Sequence, residues 1–412
     1  MKFDEFFKIA TGGNVPHQWQ SELGSDAACR NRLIRIPTGM GKTESVLSTW
    51  VFNRIQRGDE NWPTRLVWCL PMRVLVEQTV AVAEAIAQRV ENPPSVGVLM
   101  GGEDMEEWFL QPERPWILIR TQDMLLSRAL NRGYASGRAR WPTEFGLLNE
   151  DALWVMDEVQ LMDVGLATSA QLQAYRDQDA EKCLRPCYTW WMSATLQPEW
   201  LHSIDTAAAF DSWSANPCVV SPGDRTDGLW EISKSVATDT IDAKDSRAFA
   251  ARVLTEHEQT ESGEFGRITL VVCNTVDRAC ETHAAIAKAG IAAELQLVHG
   301  RFRPHERESW RKDFLSRSAC TAAADRIIIA TQVVEAGVDI SAGCLITELA
   351  PWPNLVQRFG RCARYGGEGR TIVIDRGQDE KTAPPYDPDS LAGAWAAVQT
   401  LNDVGIRRLE EY

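Results

Sequence analysis

Short apolar runs rich in Val, Ile, Leu and Trp recur along the chain, and between them lie longer stretches in which apolar residues return every third or fourth position. Strand-length runs alternating with helix-length periodic segments are the pattern of βαβ units around a parallel sheet, so the expected fold class is α/β. In the first half the spacing predicts strands at Arg32–Ile36, Arg65–Leu70, Trp116–Ile119, Ala152–Met156 and Tyr188–Met192, with helices beginning near Lys42, Arg73, Gln122, Val164 and Pro198. The second half repeats the scheme. Its predicted strands are Arg267–Val272, Glu294–Val298, Arg326–Ile329, Cys344–Glu348 and Thr371–Ile374, and its helices begin near Val276, Pro304 and Asn354.

From about 204 to 245 the chain turns rich in Asp, Ser, Pro and Gly and loses any sustained period, the composition of a connection. The expected division is a first domain over 1–215, a linker over 216–245, a second domain over 246–380 and a tail over 381–412. Within that tail, one helix is expected from Leu391.

Composition narrows the function classes. With 412 residues, 44% hydrophobic and 24% charged, the chain is neither disordered nor fibrous. No apolar run approaches the roughly 20 residues that cross a bilayer, and the start MKFDEFFKIA lacks the order of a secretory signal. A net charge of −14 repels phosphate overall, so any nucleic-acid contact needs a local basic groove. Ten cysteines are scattered through apolar runs, as suits reduced thiols in a cytoplasmic protein, and the close pair Cys183 and Cys187 lacks the further ligands of a zinc site.

The first candidate chemistry follows the first predicted strand. Thr38-Gly39-Met40-Gly41-Lys42-Thr43 is a glycine-containing turn that opens a helix. Gly39 and Gly41 would let backbone N–H groups curl around a phosphate, Lys42 would neutralise its outer oxygens, and Thr43 would ligate Mg²⁺. Residue 36 is Ile, so the strict GxxxxGK[ST] form is not met, and an ordinary strand-to-helix turn is the alternative. A phosphate-turn lysine is expected to be solvated without its ligand, so that Lys42→Ala would remove turnover and spare the fold. Further on, the apolar strand Ala152–Met156 runs into Asp157-Glu158-Val159-Gln160. Two carboxylates at a strand's carboxyl end can divide labour, Asp157 holding Mg²⁺ and Glu158 activating a water, although acidic pairs also mark plain surface turns.

In this order the motifs resemble those of the superfamily 2 helicases, from Pro16 to about Tyr365. The resemblance implies two tandem RecA-like parallel-sheet domains that close on ATP while gripping a nucleic-acid strand. Gln20 resembles the family's adenine-reading glutamine, 70–79 resembles motif Ia, 119–128 resembles motif Ib, and Ser193-Ala194-Thr195 resembles the motif that couples hydrolysis to strand movement. In the second half 271–276 resembles motif IV, and 327–340 resembles motif V with Thr331, Gly337 and Asp339 in place. The stretch 357–364 resembles motif VI, in which Gln357 would contact the nucleotide and Arg361 and Arg364 would be arginine fingers acting from the opposite domain. The same resemblance puts Arg73, Thr121, Arg128 and Thr331 on the nucleic acid.

Three details resemble the CRISPR-associated helicases of type I systems: Leu297-Val298-His299-Gly300-Arg301-Phe302 followed by Arg307, the stretch ATQVVEAGVD, and a DEVQ box in place of DEVH. That likeness implies a prokaryotic, cytoplasmic motor fuelled by Mg²⁺-ATP, travelling 3′ to 5′ on single-stranded DNA and recruited by a guide-RNA surveillance complex. Such effectors usually carry an HD nuclease, and none of the six histidines here precedes an Asp. The nuclease is therefore expected elsewhere, as a separate subunit or a further part of the chain. The stretch 131–141 interleaves three arginines with Tyr134 and Trp141, which fits either a strand-tracking loop or plain solvated surface. Competing expectations are an RNA helicase or repair translocase on the same core, and an ATP-gated nucleic-acid clamp with little turnover.

Overall fold

The computed structural model describes residues 1–98, 108–134, 136–226 and 228–411. The chain divides into two compact units, Met1–Asp224 and Arg225–Tyr412.

The first unit is built on strands β1 (Arg32–Arg35), β2 (Arg65–Leu70), β3 (Ser95–Val98), β4 (Trp116–Thr121), β5 (Ala152–Asp157), β6 (Tyr188–Ser193) and β7 (Cys218–Val219), in the spatial order β3-β4-β2-β5-β6-β1-β7. Every pairing is parallel. Sheets of this kind are covered on both faces by their crossover helices, and so β2 and β5 read as unbroken apolar runs with every residue buried. Trp50, Trp62, Trp68, Trp154, Trp190, Trp191 and Trp213 are fully buried, which accounts for much of the unusual tryptophan content as core. Ahead of β1 the helix Phe3–Thr11 buries Phe3, Phe6 and Phe7, with Phe3 and Phe6 in ring contact with Phe52. The helix expected near Pro198 is a single 3-10 turn, Pro198–Leu201, and an α-helix forms instead at Ala207–Ser214.

The second unit contains β8 (Lys234–Thr240), β9 (Arg267–Val272), β10 (Glu294–Val298), β11 (Asp325–Ala330), β12 (Cys344–Glu348) and β13 (Gly369–Asp375), in the order β10-β11-β9-β12-β13-β8, again all parallel.

Two expectations about organisation differ from what forms. The stretch expected as a linker, 216–245, contains β7 and β8, and β8 pairs residue for residue with β13 from Lys234 to Thr240. Its sequence, KSVATDT, is polar because β8 is a sheet edge with most side chains outward, so it carries no apolar signature. The stretch expected as a tail belongs to the second unit's core. Leu391, Ala394 and Val398, one face of the helix Pro388–Gln399, pack with Val404 in the same cluster as Leu355 and Phe359. Among the described residues no helix is long and apolar enough to cross a membrane.

In open parallel sheets, loops that follow the carboxyl ends of strands gather the functional side chains. The turn after β1, the box after β5 and the Ser193–Thr195 segment after β6 are three such loops on neighbouring strands.

Candidate nucleotide-hydrolysis site

β1 delivers the chain into the turn Pro37–Gly41, where Gly39 (φ +92°) and Gly41 (φ +72°) adopt left-handed backbone. At Gly41 a side chain would be strained by the backbone, and its Cβ would also crowd Gln20 Nε2 at 3.1 Å. The helix Lys42–Trp50 starts at once, aiming the N–H groups of its first turn at the loop. Lys42 Nζ donates to the carbonyls of Ile36 at 2.8 Å and Pro37 at 3.3 Å, and the residue is only 8% exposed. The expectation of a solvated lysine is therefore corrected: the ammonium braces its own loop.

Gln20 also departs from expectation. Its Oε1 accepts from His17 N–H at 2.7 Å, while Nε2 donates to the Met40 carbonyl and to Ser45 Oγ, which itself donates to the Gly41 carbonyl. Both amide protons are thus used inside the protein. Gln20 clips the phosphate turn to the helix Gln18–Gly24 and does not present a free amide edge to a base.

Asp157 ends β5 and is buried, its Oδ2 accepting from Trp68 Nε1 at 3.3 Å on the neighbouring strand β2. Burial pushes its carboxyl up to about 7, the adjacent Glu158 carboxylate acts in the same direction, and Lys42 opposes both. Glu158 takes φ +55°, a left-handed conformation that costs a non-glycine residue on the order of 1–3 kcal/mol and is characteristic of functional turns. A hydrogen-bond relay leads away from it. Gln160 Nε2 donates to Glu158 Oε2 at 2.7 Å, Ser193 Oγ donates to Gln160 Oε1 at 2.6 Å, and Thr195 N–H donates to Ser193 Oγ at 3.0 Å. An amide can donate at one end and accept at the other, so Gln160 links the carboxylate to the Ser193–Thr195 segment.

These residues fit a magnesium nucleotide. Thr38 Oγ1 is buried without a hydrogen-bond partner, the kind of polar atom that a phosphate oxygen satisfies. The turn offers backbone N–H groups, an ammonium and the half-buried Thr43 hydroxyl. A buried carboxyl of raised proton affinity beside them is one that a divalent cation would stabilise in its ionised form.

In the second unit, Gly337 (φ +76°) turns the motif V loop, and Asp339 accepts from Arg364 Nε at 3.0 Å. Arg361 is 4% exposed and donates to the carbonyls of Val338 and Glu335. Of the two expected arginine fingers, Arg361 thus braces motif V, whereas Arg364 is partly exposed and tethered by one surface carboxylate. Gln357 is buried in the helix Trp352–Phe359.

The expected nucleic-acid contacts divide in the same way. Arg73 is exposed at the start of the helix Arg73–Ala87 and Thr121 is half-exposed, but Arg128 is buried in an ion pair with Glu144 at 3.2 Å and Thr331 is 3% exposed. The physical reason is position: Arg128 sits in the last turn of the helix Gln122–Ala129, under the helix Trp141–Asn149. In the stretch 131–141, Arg132, Tyr134, Arg138 and Arg140 are exposed, Gly133 packs against the Trp141 indole, and Ala135 lies outside the described residues.

Sequence reasoning missed three participants. Trp68 is hidden in an apolar strand and is found only through the register of β2 on β5. Glu335 and Arg358 form a buried pair at 2.8 Å, for which a charged residue inside the apolar stretch VVEAGV was the available signal.

The sequence pattern of the DEAD/DEAH box helicase family matches residues 18–204, and that of the CRISPR-associated nuclease/helicase Cas3, C-terminal, matches 265–367. The CRISPR-associated helicase Cas3 of Thermoproteus tenax is 28% identical over 373 residues, covering 88% of this chain and 58% of that protein. Among solved structures, T. fusca Cas3 superposes with a TM-score of 0.66 at 18% identity, covering 95% of this chain and 49% of that one. S. cerevisiae Dbp5 bound to RNA and ADP BeF3 gives 0.59 at 16%, covering 96% and 89%. The chain therefore spans about half the length of these Cas3 relatives. With a phosphate turn after β1, an acidic box after β5 and two parallel sheets, the chain is similar to the DEAD/DEAH box helicases over 18–204 and to the CRISPR-associated Cas3 proteins over 265–367.

Proposed function

We propose that this chain is an ATP-driven motor that moves on single-stranded DNA and separates duplex during type I CRISPR interference. The observation that carries the reading is the hydrogen-bonded path from the acidic box to the Ser193–Thr195 segment: Gln160 ties Glu158, next to the buried Asp157, to Ser193 and through it to Thr195. On binding ATP, Lys42 would exchange the Ile36 and Pro37 carbonyls for phosphate oxygens. Thr43 and Asp157 would hold Mg²⁺, which when bound neutralises phosphate charge. Glu158, oriented by Gln160, would position the attacking water and take its proton. A change at that carboxylate would reach Ser193 through one amide, which is how hydrolysis would be reported to the strand-gripping loops.

Arg364 is the finger in this scheme, because one exposed carboxylate is easier to leave than the two buried carbonyls that hold Arg361. Arg73 and Thr121 are the strand contacts best supported by exposure. The DNA substrate, 3′ to 5′ travel, recruitment by a guide-RNA surveillance complex and cutting by an HD nuclease domain or subunit rest on the likeness to the Cas3 proteins, as does a cytoplasmic place of action.

The test is strand displacement from a fluorescent duplex bearing a 3′ single-stranded DNA tail, with Mg²⁺-ATP at two salt concentrations. Displacement that needs ATP, weakens steeply with salt and disappears in Glu158→Gln is expected. Displacement from RNA duplexes with none from DNA would overturn the DNA assignment.

A further inference from the structure

Resting on the motor reading above, we infer that Tyr386 is a positioning residue for motifs V and VI, acting through Arg358 from a segment beyond the last recognisable motif. Arg358 is fully buried in the helix Trp352–Phe359, and its guanidinium is the meeting point of three motifs. Its Nε donates to Glu335 of motif V at 2.8 Å. Its Nη1 donates to Asn274 Oδ1 of motif IV at 3.1 Å, to Thr347 Oγ1 at 2.7 Å and to the Glu348 carbonyl at 3.0 Å. Tyr386 joins them, its hydroxyl accepting from Nη2 at 3.1 Å.

The consequences run to the residues that matter for hydrolysis. Glu335, held by Arg358 and by Asn354 Nδ2 at 2.7 Å, lends its own carbonyl to Arg361. Three residues further on, Arg364 holds Asp339. The orientation of the motif V turn and of both motif VI arginines is therefore set by how Arg358 is fixed. A planar guanidinium with fixed donors transmits that orientation better than a flexible chain would.

Tyr386 is itself well anchored. Its neighbour Ala383 is buried in the core, Thr382 offers its carbonyl to Arg278 at 2.9 Å, and Asp387 caps the helix Pro388–Gln399 by accepting from Ser390 N–H. The segment 377–387 thus behaves as a strap across motif VI, and one hydroxyl joins the strap to the network.

The test compares Tyr386→Phe with the unaltered full chain. Removing one hydrogen bond to a charged group is expected to lower nucleic-acid-stimulated kcat by about three- to tenfold, leave KM for ATP within about twofold, and add no further loss in an Arg364→Ala background. Amide hydrogen exchange provides the second arm: faster exchange across 331–340 and 354–365, with the remainder of the second unit unchanged, is expected. Unaltered exchange and unaltered kcat in Tyr386→Phe would overturn the inference. Absence of stimulated turnover in the unaltered chain would sink the motor reading instead, and the exchange comparison would still decide whether Tyr386 orders motifs V and VI.

Discussion

The side chain that most changes the picture at the scale of single residues is Lys42. A lysine that only waits for phosphate could be removed without structural loss, but Lys42 satisfies two carbonyls of the turn it serves. Leaving buried carbonyls without a donor costs on the order of 1–3 kcal/mol. Lys42→Ala is therefore expected to abolish ATP turnover and also to lower the nucleotide-free melting temperature by several degrees, as differential scanning calorimetry would measure. An unchanged melting temperature would restore the solvated lysine. As candidates, the glycines, Lys42, Thr43, Asp157 and Glu158 were legible in the sequence because phosphate chemistry uses those residue types in that order. Their partners were not. Gln20 contacts Met40 and Ser45 by virtue of how a helix lies against the phosphate turn, and the burial of Arg128 and Arg361 depends on which face of a helix or turn is covered.

Burial made most of the central strands legible, although the edge strand β10, Glu294–Val298, was read to its limits without it. β2, β5, β9 and β12 announce themselves as apolar runs because both faces are covered, and their predicted limits agree with the observed ones to within a residue. The edge strands β3 and β8 carry no such signal: a short SVGV and a polar KSVATDT are recognisable only from the neighbour that supplies their hydrogen bonds. β8 contributes one buried cation. Lys234 Nζ donates to the Phe359 carbonyl at the end of the helix Trp352–Phe359, and burial lowers its ammonium from 10.5 to about 8. The folded chain thus sheds this proton before the unfolded chain does. Between about pH 8 and 10.5 the unfolded state binds more protons, so this group's contribution to stability rises with pH, and below about pH 8 its full penalty is present. The difference in stability between the unaltered chain and Lys234→Met, measured by denaturant titration, is expected to move in favour of the unaltered chain by about 1–3 kcal/mol from pH 7.5 to 10. A difference independent of pH would mean that Lys234 is charged normally in the folded chain.

For the molecule as a whole, two parallel sheets with separate cores hold separate groups of the candidate residues. The unit Met1–Asp224 holds the phosphate turn, the acidic box and the coupling segment, and the unit Arg225–Tyr412 holds the motif V loop and the motif VI arginines. A net charge of −14 makes any nucleic-acid affinity local and strongly dependent on salt. In the proposed motor, nucleic acid controls ATP hydrolysis and DNA does so better than RNA. Steady-state ATP turnover of the full chain, alone, with single-stranded DNA and with single-stranded RNA, at low and high salt and alongside Glu158→Gln, tests it most directly. Turnover is expected to rise many-fold with DNA, to fall back at high salt and to be absent in Glu158→Gln. Stimulation by RNA alone, or turnover in Glu158→Gln equal to that of the unaltered chain, would contradict it.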